Sequence, residues 1–269
     1  MKFLSVSESD FLYEMAVNGA CVVEHAVDPG LCERMKEDAH WYYRQMRPVQ
    51  IAAGLEEISQ WSAHHTCGRH DGIHAFLDSA VIEPYISAYF GNKPFILNTI
   101  GTAINPPIAE TGRYEHGHKW HRDIRTYNGN DARQLLIALV LLDPFTIDNG
   151  ATEVLFGTHH HADFPPANFI ERFKRTMTAP RGSVLFMDGD VWHRAGQNHS
   201  NAFRIGLSCV FTRPYRKQQM DYPRYLPESY ASSLSPGMRQ LFGFNARMPA
   251  SIDEWYQLSE NRFYKSDQG

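Results

Sequence analysis

His121-Arg122-Asp123 sets an imidazole and a carboxylate two positions apart, and on extended backbone that spacing turns both side chains to one side. Two such groups can share one ion. A third candidate ligand, His193, stands far downstream at the end of Gly189-Asp-Val-Trp-His193, just before a β-type run. Two imidazoles and one carboxylate on a single octahedral face suit Fe(II) and leave positions open for O2 and a chelating co-substrate. Because the chain holds 14 His, an H-x-D pair on a solvated loop can also arise by chance, and a further residue has to decide. Arg204 is that residue. It lies on the apolar run Phe203-Arg-Ile-Gly-Leu-Ser-Cys-Val-Phe211, where a guanidinium needs an anion. The anion is either a protein acid or a bound carboxylate. 2-Oxoglutarate offers one at its far end, matched to the planar fork of Arg, while its 2-oxo-acid end chelates iron.

These residues need a frame, and the chain changes texture to supply one. Ser7 and Asp10 form a helix-opening pair, Phe11, Leu12, Met15 and Ala16 share a face, and Gly19 is a stop, which predicts a helix over about 8–18. Ala20 to Val27 reads as a strand. Asp28 and Pro29 then suit the cap and first position of a second helix running to about Arg44. A third is expected from near Asp78 to Gly91, with Val81, Ile82, Tyr85 and Tyr89 at helical spacing despite Pro84. From Phe95 onward β-type runs take over: Phe95 to Ile104, Gln134 to Leu142, Ala151 to Phe156, Ser183 to Met187 and Phe203 to Thr212. Asn149-Gly150 between two of them is a hairpin signal, since both residues tolerate positive φ. After Pro214 the chain turns polar, with a short helix expected around Ile252 to Leu258.

From about Ala20 to Thr212 the sequence resembles the phytanoyl-CoA dioxygenase family of Fe(II)/2-oxoglutarate-dependent oxygenases. The resemblance rests on His121-Arg-Asp123, on Asp148-Asn-Gly-Ala-Thr-Glu-Val-Leu-Phe-Gly-Thr-His159, and on His193-Arg-Ala-Gly-Gln-Asn198 continuing to Phe203-Arg204. It implies a mainly β fold with flanking helices, built on a double-stranded β-helix (jelly-roll, cupin-like) core. It maps the metal ligands onto His121, Asp123 and His193, and the co-substrate Arg onto Arg204. The strand before the first His also contributes oxoglutarate contacts in this family, which carries over to Thr102 and Asn98, although either polar group could equally serve a strand end or turn. The sequence departs from part of the family at Ala195, where a hydroxyl residue often assists the co-substrate, and at Phe156, where proline is frequent.

On this reading the cofactor is Fe(II), the co-substrates are 2-oxoglutarate and O2, and hydroxylation of an aliphatic carbon of a small metabolite, with release of succinate and CO2, is the default outcome. Asp123 argues against a halogenase, because a carboxylate fills the coordination site a chloride would need. Two alternatives are an inactive metal- or ligand-binding β-helix protein and a zinc hydrolase using the same three residues, which leaves Arg204 without a purpose.

Other polar clusters carry weaker chemistry. His159, His160 and His161 look like a metal tract, but neighbours on extended chain point to alternating sides, which favours turn and surface roles. His64, His65, Cys67 and His70 imitate a zinc cluster, and their place between the helical part and the sheet points instead to a loop over the mouth of the site, solvated or recognising substrate with Arg69 and Asp71. Alternation turns Arg122 away from the metal and leaves Arg125 and Tyr127 as substrate candidates, with salt bridging and core packing as their ordinary roles.

Composition bounds the rest. A chain of 269 residues, 43% hydrophobic and 21% charged, can bury one sizeable core, so the expectation is a single domain over 1–269, with a helical part to about 94, a β-helix core over about 95–213 and a C-terminal extension from about 214. A net charge of -4 gives no broad basic field for nucleic acid. Cys21, Cys32, Cys67 and Cys209 are scattered without a C-x-x-C pair, and no export signal or membrane span is evident, so reduced thiols, a cytoplasmic location and a small-molecule partner are expected, with the oligomeric state left open.

Overall fold

The computed structural model describes residues 6–57, 61–111, 118–124, 126–127, 129 and 133–268. Helix α1, Glu8–Asn18, begins where Ser7 Oγ accepts the Asp10 N–H and ends where Gly19, at φ 74°, returns its N–H to Met15 O. Phe11 and Met15 are its buried residues. Helix α2, Pro29–Ala52, starts at the expected Asp28 cap but runs well past Arg44, through Pro48. Its last turns are tied down from outside: Arg47 donates to Glu56 O and Gln50 to Ser62 O.

The single helix expected from Asp78 to Gly91 is instead two. Helix α3, Gly72–Asp78, is capped by Asp71 and finishes where the expected helix was to begin, and α4, Glu83–Tyr89, carries Pro84 in its first turn. Proline has no N–H for an upstream carbonyl and its ring crowds the preceding turn, so it opens a helix more readily than it sits inside one.

The strands are β1 (Ala20–Val23), β2 (Ser62–His64), β3 (Ile96–Asn105), β4 (Leu135–Leu141), β5 (Glu153–Leu155), β6 (Lys174–Thr176), β7 (Val184–Asp188), β8 (His193–Arg194) and β9 (Arg204–Thr212). Five fall on the runs read from sequence after Phe95. Strand β1 stops short of Val27, with His25 at φ 54° turning the chain out of extended conformation. All ladders are antiparallel, in a six-stranded sheet of order β1-β7-β4-β9-β3-β2 and a three-stranded sheet of order β6-β5-β8. Among the described residues both sheets are open, and the fold is mixed α and β rather than a closed barrel. Asn149-Gly150 does not close a hairpin, because β4 pairs with β7 and β9 while β5 pairs with β6 and β8. The turn carries the chain from one sheet to the other. Gly150 keeps its predicted positive φ of 74°, and a Cβ there would lie 2.4 Å from Gly196 O.

Both faces of β4, in the middle of the large sheet, are buried, so it reads as the unbroken apolar run Leu-Leu-Ile-Ala-Leu-Val-Leu. One face (Leu136, Ala138, Val140, Ile205, Leu207, Phe211) packs on the helices through Phe11, Met35 and Ile86. The opposite face (Ile137, Leu139, Leu141, Leu185, Met187) meets the small sheet and its flanks through Val154, Val191 and Phe145. The chain beyond Pro214 is not a loose tail. Short helices including Tyr222–Tyr225, Glu228–Ala231 and Pro236–Leu241 place Tyr222, Tyr230, Met238 and Phe242 in the helix-side core, and the expected helix appears as Ile252–Trp255. All four cysteines are free and buried. No helix of the described residues is long and apolar enough to cross a membrane.

Candidate metal centre

His121 and His193 come together through backbone before any ion is considered. They form an isolated antiparallel bridge in which each N–H donates to the other's carbonyl at 3.0 Å. His193 is carried there by the turn after β7, where Asp190 N–H donates to Asp188 Oδ1 and Val191 N–H to Asp188 O. Trp192 N–H then donates to Thr158 Oγ1. On the other side, Ile124 N–H donates to Gly189 O and the Ile124 side chain is buried. Gly189 is what lets it approach, since a Cβ there would lie 2.9 Å from Ile124 Cγ1. Arg122 points away from the centre, as alternation requires, and donates to the carbonyls of Thr158, His161 and Ala162 while its guanidinium lies 4.8 Å from the Trp192 ring centre. The H-x-D segment is thus clamped at three points.

The ligand atoms converge. Asp123 Oδ1 lies 3.9 Å from His121 Nε2 and 3.8 Å from His193 Nε2, and all three donors fall within 4.8 Å of one another. The other ring nitrogen of each histidine is already engaged, His121 Nδ1 with Lys119 O at 2.8 Å and His193 Nδ1 with Val191 O at 3.1 Å. Carbonyls only accept, so both Nδ1 atoms carry hydrogen and both Nε2 atoms present lone pairs toward Asp123. Burial lowers the pKa of His193, which favours the neutral ligand form. This donor set, three on one side with the rest of the coordination sphere free, fits Fe(II).

Arg204 opens β9 opposite Asn105 of β3 and is 3% exposed. Its guanidinium carbon lies 4.0 Å from the Phe145 ring centre, and its Nε has no hydrogen-bond partner. Among the described residues the acid whose charge acts on it, Asp143, is taken: Oδ1 binds Lys36 Nζ at 2.5 Å and Oδ2 accepts the Ile205 N–H. Among the described residues no ion pair reaches Arg204, and burial pushes its guanidinium down to about 9. A buried cation with an orphaned donor fits a carboxylate ligand such as the far end of oxoglutarate.

The residue facing Arg204 was missed by sequence reasoning. Asn105 donates to Gly196 O at 3.0 Å and to Gly150 O at 3.3 Å, and its Oδ1 meets His118 Nε2 at 3.1 Å. Asn198 Nδ2 in turn donates to Asn105 O. The two asparagines join the ends of β3, the Asn149-Gly150 turn and the segment after β8 around Arg204. The available signal was an Asn closing a strand immediately before Pro106-Pro107.

Thr102 lies on the face of β3 opposite to Arg204. It pairs with Leu207, whose side chain faces the helices, whereas Asn105 shares the opposite face with Arg204. Ile100, Thr102 and Ile104 share that helix-side face. Asn98, at a bulge seven positions along β3 from Asn105, donates its amide to Lys217 O and is likewise spent elsewhere. Arg69 lies on Trp41 of α2, 3.7 Å from the ring centre. Tyr127 lies 5.5 Å from the Arg122 guanidinium, and Arg125 falls outside the described residues.

The histidine tracts hold the fold together. His159 and His160 both reach Ala16 O from a short 3-10 turn. His65 meets Tyr222 Oη, His70 meets Ser233 Oγ and His74 meets Tyr230 Oη, which ties this loop to the C-terminal helices. Burial pushes the Cys21 thiol up to about 12 and Cys32 up to about 11, so neither is a ready thiolate. Among the described residues only His121, Asp123 and His193 bring three metal-capable groups together.

Three comparisons bear on this centre. The phytanoyl-CoA dioxygenase family (PhyH) matches residues 15–206. An uncharacterized protein of Mycobacterium tuberculosis is 35% identical over 165 residues, 61% of this chain and 59% of that one, so the match spans under two thirds of the relative's length. Dioxygenase andF of Emericella variicolor is 27% identical over 241 residues, 84% of this chain and 81% of the relative. In fold, the chain is similar to the non-heme alpha ketoglutarate dependent epimerase SnoN from nogalamycin biosynthesis, with a TM-score of 0.61, 16% identity and coverage of 85% of this chain and 90% of SnoN.

Proposed function

The chain belongs to the phytanoyl-CoA dioxygenase family, and on that premise we propose that it is an Fe(II)- and 2-oxoglutarate-dependent dioxygenase. His121, Asp123 and His193 hold the iron, and Arg204 anchors the far carboxylate of oxoglutarate. The observation that carries this reading is Arg204: buried, without an acid of its own among the described residues, and facing a hub that ties it to the segment following His193. A zinc hydrolase or an inert binding protein would leave that cation unexplained. When bound, the iron together with O2 and oxoglutarate supplies an oxidant able to take hydrogen from an aliphatic carbon, with succinate and CO2 as co-products.

The chain's own residues bind and orient. His121 and His193 offer Nε2 while their Nδ1 hydrogens stay on backbone carbonyls, which fixes ring orientation. Asp123 supplies the single negative charge of the set and fills the position a halide would need. Arg204 fixes one end of the co-substrate, so that only the 2-oxo-acid end is free to chelate. We read the two facing sheets as the halves of a double-stranded β-helix, a reading supported by the apolar layer between them. Hydroxylation of an aliphatic carbon of a small metabolite is the expected outcome. SnoN is an epimerase, so products are to be examined for isomers as well as for an added oxygen.

The test is succinate release from oxoglutarate by the full chain with Fe(II), ascorbate and air. Turnover that needs Fe(II) and is not replaced by Zn(II) supports the reading. Metal-bound protein that never consumes oxoglutarate contradicts it.

A further inference from the structure

The interior face of the large sheet is covered unevenly. Beneath β4 and β7 it is filled by Leu139, Leu141, Leu185 and Met187, all buried against the small sheet. On the β9, β3 and β2 side the registers place Gly206 opposite Ala103 opposite Ser62, and Ser208 opposite Gly101 opposite His64. Directly paired residues share a face, and these six share it with Arg204 through the Asn105 pair. Five of the six are Gly, Ala or Ser. Ala103, deep inside the sheet, is nevertheless exposed, and so is His64. Next to Arg204, which has no ion pair among the described residues, Gly206 lies under Leu139 and Phe145, and beyond it the small residues Ala103, Ser62, Gly101 and Ser208 leave the face as a low, partly open floor.

Among those six residues His64 is the one large side chain. Its ring makes no hydrogen bond among the described residues, unlike His65, His70 and His74 beside it. It is reachable by solvent, and partial burial lowers its pKa, which favours the neutral ring. The neutral imidazole offers one donor and one acceptor. Strand spacing and rise put it roughly 15 Å from Arg204, well beyond the reach of oxoglutarate. Apart from Arg204 the floor carries no charged side chain.

We propose that this floor seats the substrate and that His64 is a specificity-determining residue, hydrogen-bonding a hydroxyl or carbonyl oxygen of a flat, uncharged molecule at the end remote from the oxidised carbon. The inference rests on the oxygenase reading and deepens it. The floor of small residues admits breadth close to the backbone, and the lack of charge disfavours an amino acid or an acyl-CoA.

The experiment measures succinate release by the full chain with Fe(II) and oxoglutarate in the presence of three probe classes: uncharged ring ketones and alcohols such as progesterone, free amino acids, and acyl-CoA thioesters. Stimulation by the first class is expected. For the best probe, His64→Phe should raise KM at least about tenfold with kcat within about threefold, and His64→Gln should recover most of the loss. Ala103→Leu, which fills the floor, should abolish stimulation while oxoglutarate still binds anaerobically. Stimulation only by charged probes, stimulation by none, or an unchanged KM in His64→Phe overturns the proposal. So does a loss that merely tracks a lower Tm. If succinate is never released, with or without probe, the underlying oxygenase reading fails instead.

Discussion

His121 and His193 exchange both of their backbone hydrogen bonds at 3.0 Å, so two ligands far apart in sequence are registered by main chain and not by the ion they are to hold. Asp123 follows two positions after His121, with Ile124 pinned to Gly189 O. The centre is assembled in advance.

Removing metal should therefore leave the fold intact. Treatment with a chelator is expected to keep the circular dichroism spectrum unchanged and to lower Tm only by the amount that lost metal binding accounts for. Loss of secondary structure on chelation would mean that the ion, rather than the bridge, organises the site.

Arg204→Ala should raise the KM for oxoglutarate about thirty- to several-hundred-fold, the equivalent of roughly 2 to 4 kcal/mol for a charge-assisted bidentate contact shielded from water. Arg204→Lys should recover only part, because an ammonium keeps the charge but not the fork. A normal KM combined with a lower Tm would return Arg204 to a purely structural role.

Thr102→Val tests the face assignment. Thr102 Oγ1 is buried without a partner on the helix side of β3, so the substitution should leave the oxoglutarate KM unchanged and hold or slightly raise Tm. A clear rise in KM would place Thr102 back among the co-substrate contacts.

Asp190 gives a pH signature. Burial first, then the neighbouring Asp188 charge, push its carboxyl up to about 6 from the ordinary 3.8. A raised folded-state value means its contribution is fully present below about pH 4 and is lost as pH rises through about 6. Asp190→Asn, which cannot ionise, should match the parent near pH 4 and be more stable by about 1–3 kcal/mol at pH 8. Equal melting curves for the two proteins at pH 8 would show that the charge is tolerated.

Much of this was legible in the sequence, and the failures have physical causes. The ends of α1 were readable because Ser7 and Gly19 act locally through cap and left-handed turn. The long strands were readable because burial on both faces makes apolar runs. Strands β2, β6 and β8 are two or three residues long and exist only through partners far away in sequence, which no local pattern records. Thr102 shows the limit: alternation tells which residues share a face but not which face meets the site, and Thr102 shares its face with Ile100 and Ile104 of the helix-side core. The triad was legible because its residue types are chemically demanding, and Arg204 because a cation on an apolar strand stands out. Asn105 was not, since an asparagine at a strand end looks like any turn residue.

The central claim is that His121, Asp123 and His193 hold an iron that consumes oxoglutarate. The most direct measurement is Fe(II)-dependent succinate release by the parent chain beside His121→Ala, Asp123→Ala and His193→Ala, with iron content determined in each. The parent should release succinate, and each variant should bind iron more weakly and lose nearly all turnover, because each loses one of three protein bonds to the metal. Near-parental succinate release by any one of the three, or none by the iron-loaded parent, would contradict the account.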